Sequence, residues 1–137
     1  MEGITLKIKI TEEEQNVLLI KANKLDLTVE EYINKLIDLD VNSTVELNNG
    51  YIYNKHLNKL FDVNEREIPL TKTENKLLRL LVENINSLVT LETIHEIVWK
   101  GKNMSRFTLR NKVKDLRDKT FYELIKNHSN LGYSINS

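Results

Sequence analysis

The chain has 137 residues, no cysteine, one proline and four glycines, with 20 basic side chains balancing 20 acidic ones. That length accommodates one ordinary domain or two small ones, disulfides and cysteine metal sites are excluded, and no apolar run approaches the ~20 residues that a bilayer span needs. The amino terminus MEGITLKIKITEEE lacks a signal-peptide core, so the expected location is the cytoplasm. Zero net charge argues against indiscriminate nucleic-acid binding, but the charge is unevenly spread. Residues 1–43 carry a net −4 and the remainder +4, with a local +6 between Lys100 and Lys119. Such a concentration is the electrostatic footprint of a phosphate-facing surface.

From Ile4 to Ile10 the residues alternate strictly, with Ile4, Leu6, Ile8 and Ile10 on one face and Thr5, Lys7 and Lys9 on the other, which predicts a half-buried strand. Thr11 with Glu14 makes a capping box and opens a helix with apolar Leu18, Ala22 and Leu25, ending near Asp26. A second box, Thr28 with Glu31, opens a helix whose apolar face is Val29, Tyr32, Ile33, Leu36 and Ile37. Roughly 40 residues seldom bury enough apolar surface to fold alone, and a lone strand leaves its backbone groups unpaired. A dimer with the two strands paired antiparallel satisfies both demands.

Residues Ile4 to Leu39 resemble the ribbon-helix-helix family of small bacterial repressors, the MetJ/Arc/CopG type. The resemblance rests on the alternating strand, Thr11, Ala22, Leu27-Thr28 at the interhelix turn and Ile33. It implies that residues 1–40 form a dimerisation module whose paired strands enter the major groove through Thr5, Lys7 and Lys9. The nine acidic residues nearby support the competing reading, a hairpin that dimerises without touching DNA.

Residues 38–43 are expected as a brief linker. Beyond it TVEL and YIYN, separated by Asn48-Asn49-Gly50, and KLFDV and REIPL around Asn64-Glu65 predict two hairpins. Thr71 with Glu74 then caps a helix with Leu77, Leu78, Leu80 and Leu81 as core. Leu88 to Thr90 is a candidate short strand. Leu91 to Trp99 is a helix with apolar Ile94, Ile97, Val98 and Trp99, followed by a polar loop. From Phe107 to Lys119 a basic helix carries Leu109, Val113 and Leu116 at the i, i+4, i+7 spacing of one buried stripe, and a hairpin from Leu124 to Ile135 closes the chain.

Residues Thr44 to Ile135, within a second domain spanning 44–137, are similar to the winged helix-turn-helix output domain of OmpR/PhoB-type response regulators. The matching features are the leading strands, Ile68-Pro69-Leu70-Thr71 with Glu74, the helix end Ile97-Val98-Trp99, Leu116-Arg117, and Gly132-Tyr133. The resemblance implies that the basic helix enters the major groove, the last hairpin forms a wing over the minor groove, and the loop Lys100 to Ser105 touches RNA polymerase. The expected fold is therefore α+β, a ribbon-helix-helix-like unit followed by a winged helix-turn-helix with a leading antiparallel sheet. In place of the family's receiver domain stands the amino-terminal unit, so phosphorelay control is not expected.

With Leu109, Val113 and Leu116 inward, the opposite face of the helix carries Phe107, Asn111, Lys114, Asp115 and Asp118. Asn111 suits bidentate pairing with adenine, while flanking Arg110, Lys112, Arg117 and Lys119 are long enough for phosphates. Arg110 and Lys112 are expected to matter most for affinity. Arg106 and Thr108 complete the candidate contacts of this helix. Asp115 stands where the family has a basic or polar residue, and its carboxylate either accepts from a cytosine amino group or repels phosphate. In the wing, Ser129-Asn130 replaces the family's Arg-Gly. Asn130 tolerates the left-handed turn, and Lys126 or His128 is left to supply the contact.

His56, His95 and His128 are scattered without metal-ligand spacing, and Glu12-Glu13-Glu14 is explained by capping and the helix dipole. Trp99 and Tyr133 are expected as core anchors. No cofactor and no enzymatic activity are expected. The sequence points to a homodimeric, sequence-specific double-stranded-DNA-binding transcription regulator. The alternative is an interaction protein whose winged helix docks polymerase or another regulator, a reading motivated by Asp115, Asp118 and Ser129.

Overall fold

An isolated amphipathic segment with no strand to pair with has no ladder to join, and the computed structural model, which describes residues 3–136, shows that outcome at the amino terminus. The strand expected from Ile4 to Ile10 is not formed in the single chain. These residues carry no regular secondary structure, and Ile4, Leu6 and Ile8 are 87%, 74% and 61% exposed. The alternation is present, but the hydrogen-bonding partner that would convert it into a strand is not supplied by the same chain.

The two capping boxes do form. Thr11 Oγ1 accepts from the Glu14 amide at 3.1 Å and Glu14 Oε1 accepts from the Thr11 amide at 2.9 Å, opening α1 (Glu12–Lys24). Thr28 and Glu31 repeat the arrangement at 3.1 Å in both directions and open α2 (Val29–Asn42). The backbone N–H of each threonine, followed by its hydroxyl, holds the Glu14 and Glu31 carboxyls below the ordinary glutamate range. Asp26, at φ 55°, takes the left-handed conformation after α1, and the Leu27 amide returns to the Ala22 carbonyl at 2.9 Å. Among the described residues up to Asn42, Ala22 alone is buried. Val17, Leu19, Ile20, Leu36, Ile37, Leu39 and Val41 remain open to solvent.

Contacts divide the chain after Val41. The second unit starts with a four-stranded antiparallel meander, β1 (Thr44–Glu46), β2 (Ile52–Asn54), β3 (Lys59–Phe61) and β4 (Glu67–Ile68), in that order across the sheet. The two expected hairpins are thus joined edge to edge into one sheet. Its register sets Val45 opposite Tyr53, Tyr53 opposite Leu60, and Leu60 opposite Ile68, a row of apolar side chains across one face. Tyr53 and Leu60 are fully buried, and the Tyr53 hydroxyl donates to Asn75 Oδ1 at 2.6 Å. The strands β3 and β4 are shorter than the sequence suggested because the Asp62 carboxylate takes the amides of Asn64 and Arg66 and turns the chain.

Helix α3 (Lys72–Glu83) is the hub of this unit. It packs against α4 (Leu91–Val98), α5 (Arg106–Lys119) and β7 (Gly132–Ile135), and Leu77, Leu78 and Leu81 are completely enclosed. In α4, Ile94 and Val98 are buried and Trp99 is half-buried against the core. Ile97, expected on the apolar face, is 53% exposed. A second antiparallel sheet places β7 between β5 (Val89–Thr90) and β6 (Ile125–His128). All four residues of β7 are buried, Tyr133 included, as expected of a central strand.

Gly132 sits opposite both His128 and Thr90, and a Cβ there would lie 1.9 Å from the Val89 carbonyl oxygen. Only glycine permits β5 to approach β7 so closely. Gly132→Ala is expected to destabilise the second unit by about 3 kcal/mol or more, the upper range for overpacking against a rigid neighbour, in equilibrium urea unfolding. Stability within about 0.5 kcal/mol of wild type, the range of an ordinary surface change, would contradict the close approach.

Candidate nucleic-acid interface

Helix α5 begins at Ser105, whose Oγ accepts from the Thr108 amide at 3.0 Å. Leu109, Val113 and Leu116 are buried, so the predicted inward stripe is the observed one. Outward, Arg106, Phe107, Arg110, Asn111, Lys114 and Asp118 are exposed, while Thr108, Lys112 and Asp115 are half-buried. The first turn contains no acidic residue, so the positive end of the helix dipole faces outward without an internal counter-charge.

The two ends of α5 are treated differently. At the carboxy-terminal end, the Lys119 ammonium donates to Glu74 Oε1 at 2.6 Å and to the Pro69 carbonyl at 3.2 Å. The Glu74 side chain is 2% exposed and that of Lys119 35%. Arg117 donates from Nη2 to the Ile125 carbonyl at 2.6 Å and lies 4.3 Å from the centre of the Tyr122 ring. Two of the cations expected to flank the groove are therefore engaged inside the protein: Lys119 holds α5 to the start of α3, and Arg117 holds it to the start of the wing. Arg106 and Arg110 in the amino-terminal half, and Lys114 just beyond it, are exposed.

The wing is the hairpin β6–β7. Its tip turns at Asn130, whose φ of 62° is the left-handed turn expected of this residue. Asn130 Oδ1 accepts from Arg106 Nη1 at 3.1 Å, a bridge from the wing tip to the first turn of α5. Between helix and wing runs a groove lined by Arg106, Arg110, Asn127, Ser129 and Tyr133, continuing past Lys114 and Asp118 towards Tyr122.

Of the expected wing contacts, Lys126, Ser129 and Asn130 are exposed, whereas His128 is half-buried and its Nε2 lies 2.8 Å from Ser134 Oγ, directed at the neighbouring strand. Asn127 was not among the expected contacts, yet it lines the groove. The signal was the strand period: Ile125 is buried, so Asn127 two residues on shares its side, while Lys126 and His128 take the other. Thr5, Lys7 and Lys9 are exposed in the first unit.

The loop Lys100 to Ser105 is tied to α4, with the Gly101 amide donating to the His95 carbonyl at 3.2 Å and the His95 ring at the Lys102 carbonyl. Among the described residues no cluster of His, Asp and Glu could hold a metal ion, and no helix is long and apolar enough to cross a membrane.

Burial by itself would raise the Glu74 pKa, but the hydrogen bond from Lys119 and those from Thr71 outweigh it and the carboxyl is held below its ordinary value. A depressed folded pKa means the folded state binds this proton less readily than the unfolded one. The stabilisation is complete above the unfolded glutamate pKa of about 4.3 and is lost as pH falls through the lower folded value. Urea unfolding between pH 7 and pH 3 is expected to show wild type losing stability below about pH 4.5 more steeply than Glu74→Gln. Identical slopes would mean that the pair contributes nothing.

A family model described as transcriptional regulatory protein, C terminal, matches residues 65–135, just over half of the chain. Among solved structures, the DNA-binding domain of CpxR from E. coli is similar at 24% identity with TM-score 0.57, covering 69% of this chain and 96% of that one. The DNA-binding domain of Bacillus subtilis CssR is similar at 23% identity and TM-score 0.55, covering 62% and 98%. The Thermotoga maritima response regulator DrrB, an OmpR/PhoB homolog, is similar at 21% identity and TM-score 0.60, covering 69% of this chain and 45% of DrrB. At such identities the likeness concerns the fold. No curated protein sequence matches the chain.

Proposed function

Because the chain belongs to the family of transcriptional regulatory protein C-terminal domains, a DNA-binding regulator domain and not an enzyme, we propose that it is a sequence-specific transcription regulator that grips double-stranded DNA as a homodimer. The observation that carries the DNA reading is the division of α5: Arg117 and Lys119 are bound internally while Arg106, Arg110 and Lys114 remain on the open side, beside a wing. In this reading the outward stripe of α5 from Phe107 to Lys114 lies in the major groove. Asn111 and Lys114 read base edges, Arg110 and Lys112 meet phosphates, and Asp115 restricts the accepted bases by accepting from cytosine or repelling phosphate. Arg106, Asn127, Ser129 and Asn130 border the backbone between helix and wing, Lys126 serves the wing's outer side, and the exposed loop Lys100 to Ser105 is the surface facing polymerase.

Affinity that comes from phosphates releases counterions, so binding falls with salt by a slope of roughly −0.9 per phosphate neutralised. In gel-shift titrations on a duplex selected from a random pool, Arg110→Ala is expected to weaken binding on all sequences alike and to reduce the salt slope by about 1. Asn111→Ala is expected to relax preference at one base pair, by about 1–3 kcal/mol of lost discrimination. A salt-insensitive complex, or variants indistinguishable from wild type, would turn the reading towards protein docking.

Support for the homodimer lies in the first unit. Residues 1–40 are read as a ribbon-helix-helix-like module and 44–137 as the DNA-binding domain. The alternating face Ile4, Leu6, Ile8 and Ile10 and the outer apolar residues of α1 and α2 are uncovered in one chain, and a two-fold antiparallel pairing of Ile4 to Ile10 would fill both the ladder and the missing core. Thr5, Lys7 and Lys9 would then stand on the outer face of the ribbon, available to a second stretch of DNA. Sedimentation of the full chain is expected to give twice the 16.1 kDa monomer mass, and Leu6→Asp/Ile8→Asp to give the monomer. A monomeric wild type at micromolar concentration would overturn the dimer.

A further inference from the structure

Phe107 is the second residue of α5, on the outward stripe with Asn111 and Lys114 at the i, i+4, i+7 spacing, and it is 73% exposed. It pairs with no other ring among the described residues, where the one ring pair is Tyr51 with Phe121. Its neighbours on the open side of the helix are polar or charged: Arg106, Arg110, Asn111 and Lys114. A bare phenyl ring in such company contributes nothing to the core of its own unit, because Leu109, Val113 and Leu116 fill the inward stripe without it. It occupies the end of the helix that reaches deepest when such a helix docks in the major groove.

The edges of the base pairs in that groove present donors and acceptors, with one apolar group among them, the C5-methyl of thymine. A phenyl ring finds no hydrogen-bond partner on any other base edge, so its one favourable contact there is that methyl. Resting on the major-groove reading of α5 given above, we infer that Phe107 is a specificity-determining residue that packs on a thymine methyl. Asn111 lies one turn further along the same stripe, about 6 Å in helix rise. That is just under two base-pair steps of about 3.4 Å. The thymine therefore falls within two base pairs of the adenine that Asn111 recognises, and the site carries a short thymine-and-adenine element in each half. Where a charged side chain would gain affinity on any sequence, the exposed ring gains it only where a methyl is present.

The test uses the full chain and the duplex that wild type enriches from a random pool. Each thymine is replaced in turn by deoxyuridine, which keeps base pairing and removes only the C5-methyl. At one thymine per half-site the replacement is expected to weaken wild-type binding about fourfold, the worth of burying one methyl group. The same replacement is expected to leave the affinity of Phe107→Ala unchanged. Phe107 is exposed and alanine suits a first helical turn, so the variant retains its fold, which its unfolding curve verifies. Methyl sensitivity that persists in Phe107→Ala, or a wild type indifferent to every deoxyuridine, overturns the assignment. Asn111→Ala and Lys114→Ala, measured on the same duplex, separate the two levels of inference. If they weaken binding while the methyl effect does not depend on Phe107, the thymine contact fails and the recognition helix stands. If none of the three variants differs from wild type, or no duplex is enriched, both fail together.

Discussion

A carboxylate 2% exposed to solvent organises the second unit. Glu74 closes the capping box at the start of α3 and, with the same Oε1, receives the ammonium of Lys119 from the last residue of α5. One side chain thereby fixes where the central helix begins and where the outward-facing helix ends. An uncompensated charge at that depth would cost several kcal/mol, so the carboxylate demands its cation and specifies the position of α5 rather than merely adding stability. With α5 set in place, Leu109, Val113 and Leu116 can pack inward and the opposite stripe faces out.

The chain uses its basic residues for two physically different purposes, and their hydrogen-bond partners separate them. Arg117 spends its guanidinium on the Ile125 carbonyl and the Tyr122 ring, and Lys119 on Glu74 and Pro69. Both strap the exit of α5 to its surroundings. Arg110 and Lys114 have no comparable partner among the described residues and stand over a groove whose far wall is the wing. A helix anchored at one end and charged at the other is suited to present its first turns to a polyanion. The wing reaches the same end through the bridge from Arg106 to Asn130, so helix and wing border the groove together.

The first unit poses the opposite situation. Its local structure is well specified, with two capping boxes and a left-handed turn at Asp26, yet it buries a single side chain among the described residues up to Asn42. Helix caps satisfy backbone groups but do not supply a core. The hydrophobic term that offsets chain entropy is therefore small in the single chain, whose apolar residues on α1 and α2 stand open to solvent.

The helices, their caps and the inward stripe of α5 were readable from the sequence, because they depend on contacts three or four residues apart. Thr71 with Glu74 is a local pattern, as are the leucines of α3 and the turn residue Asn130. The strand at Ile4 to Ile10 was readable only as a potential, since a ladder needs a partner that periodicity cannot provide. Which cations the fold itself engages was not readable. Lys119 meets a carboxylate 45 residues away, His128 turns to Ser134 rather than outward, and Asn127 joins Arg110 across the groove, all through strand register and helix packing. Likewise, the glycine requirement at Gly132 follows from the approach of Val89, distant in the chain. The sequence by itself determined the elements and the type of domain they build. The tertiary structure alone decided which charges are held within the fold and which remain free to bind, because that depends on burial and on partners brought together from far along the chain.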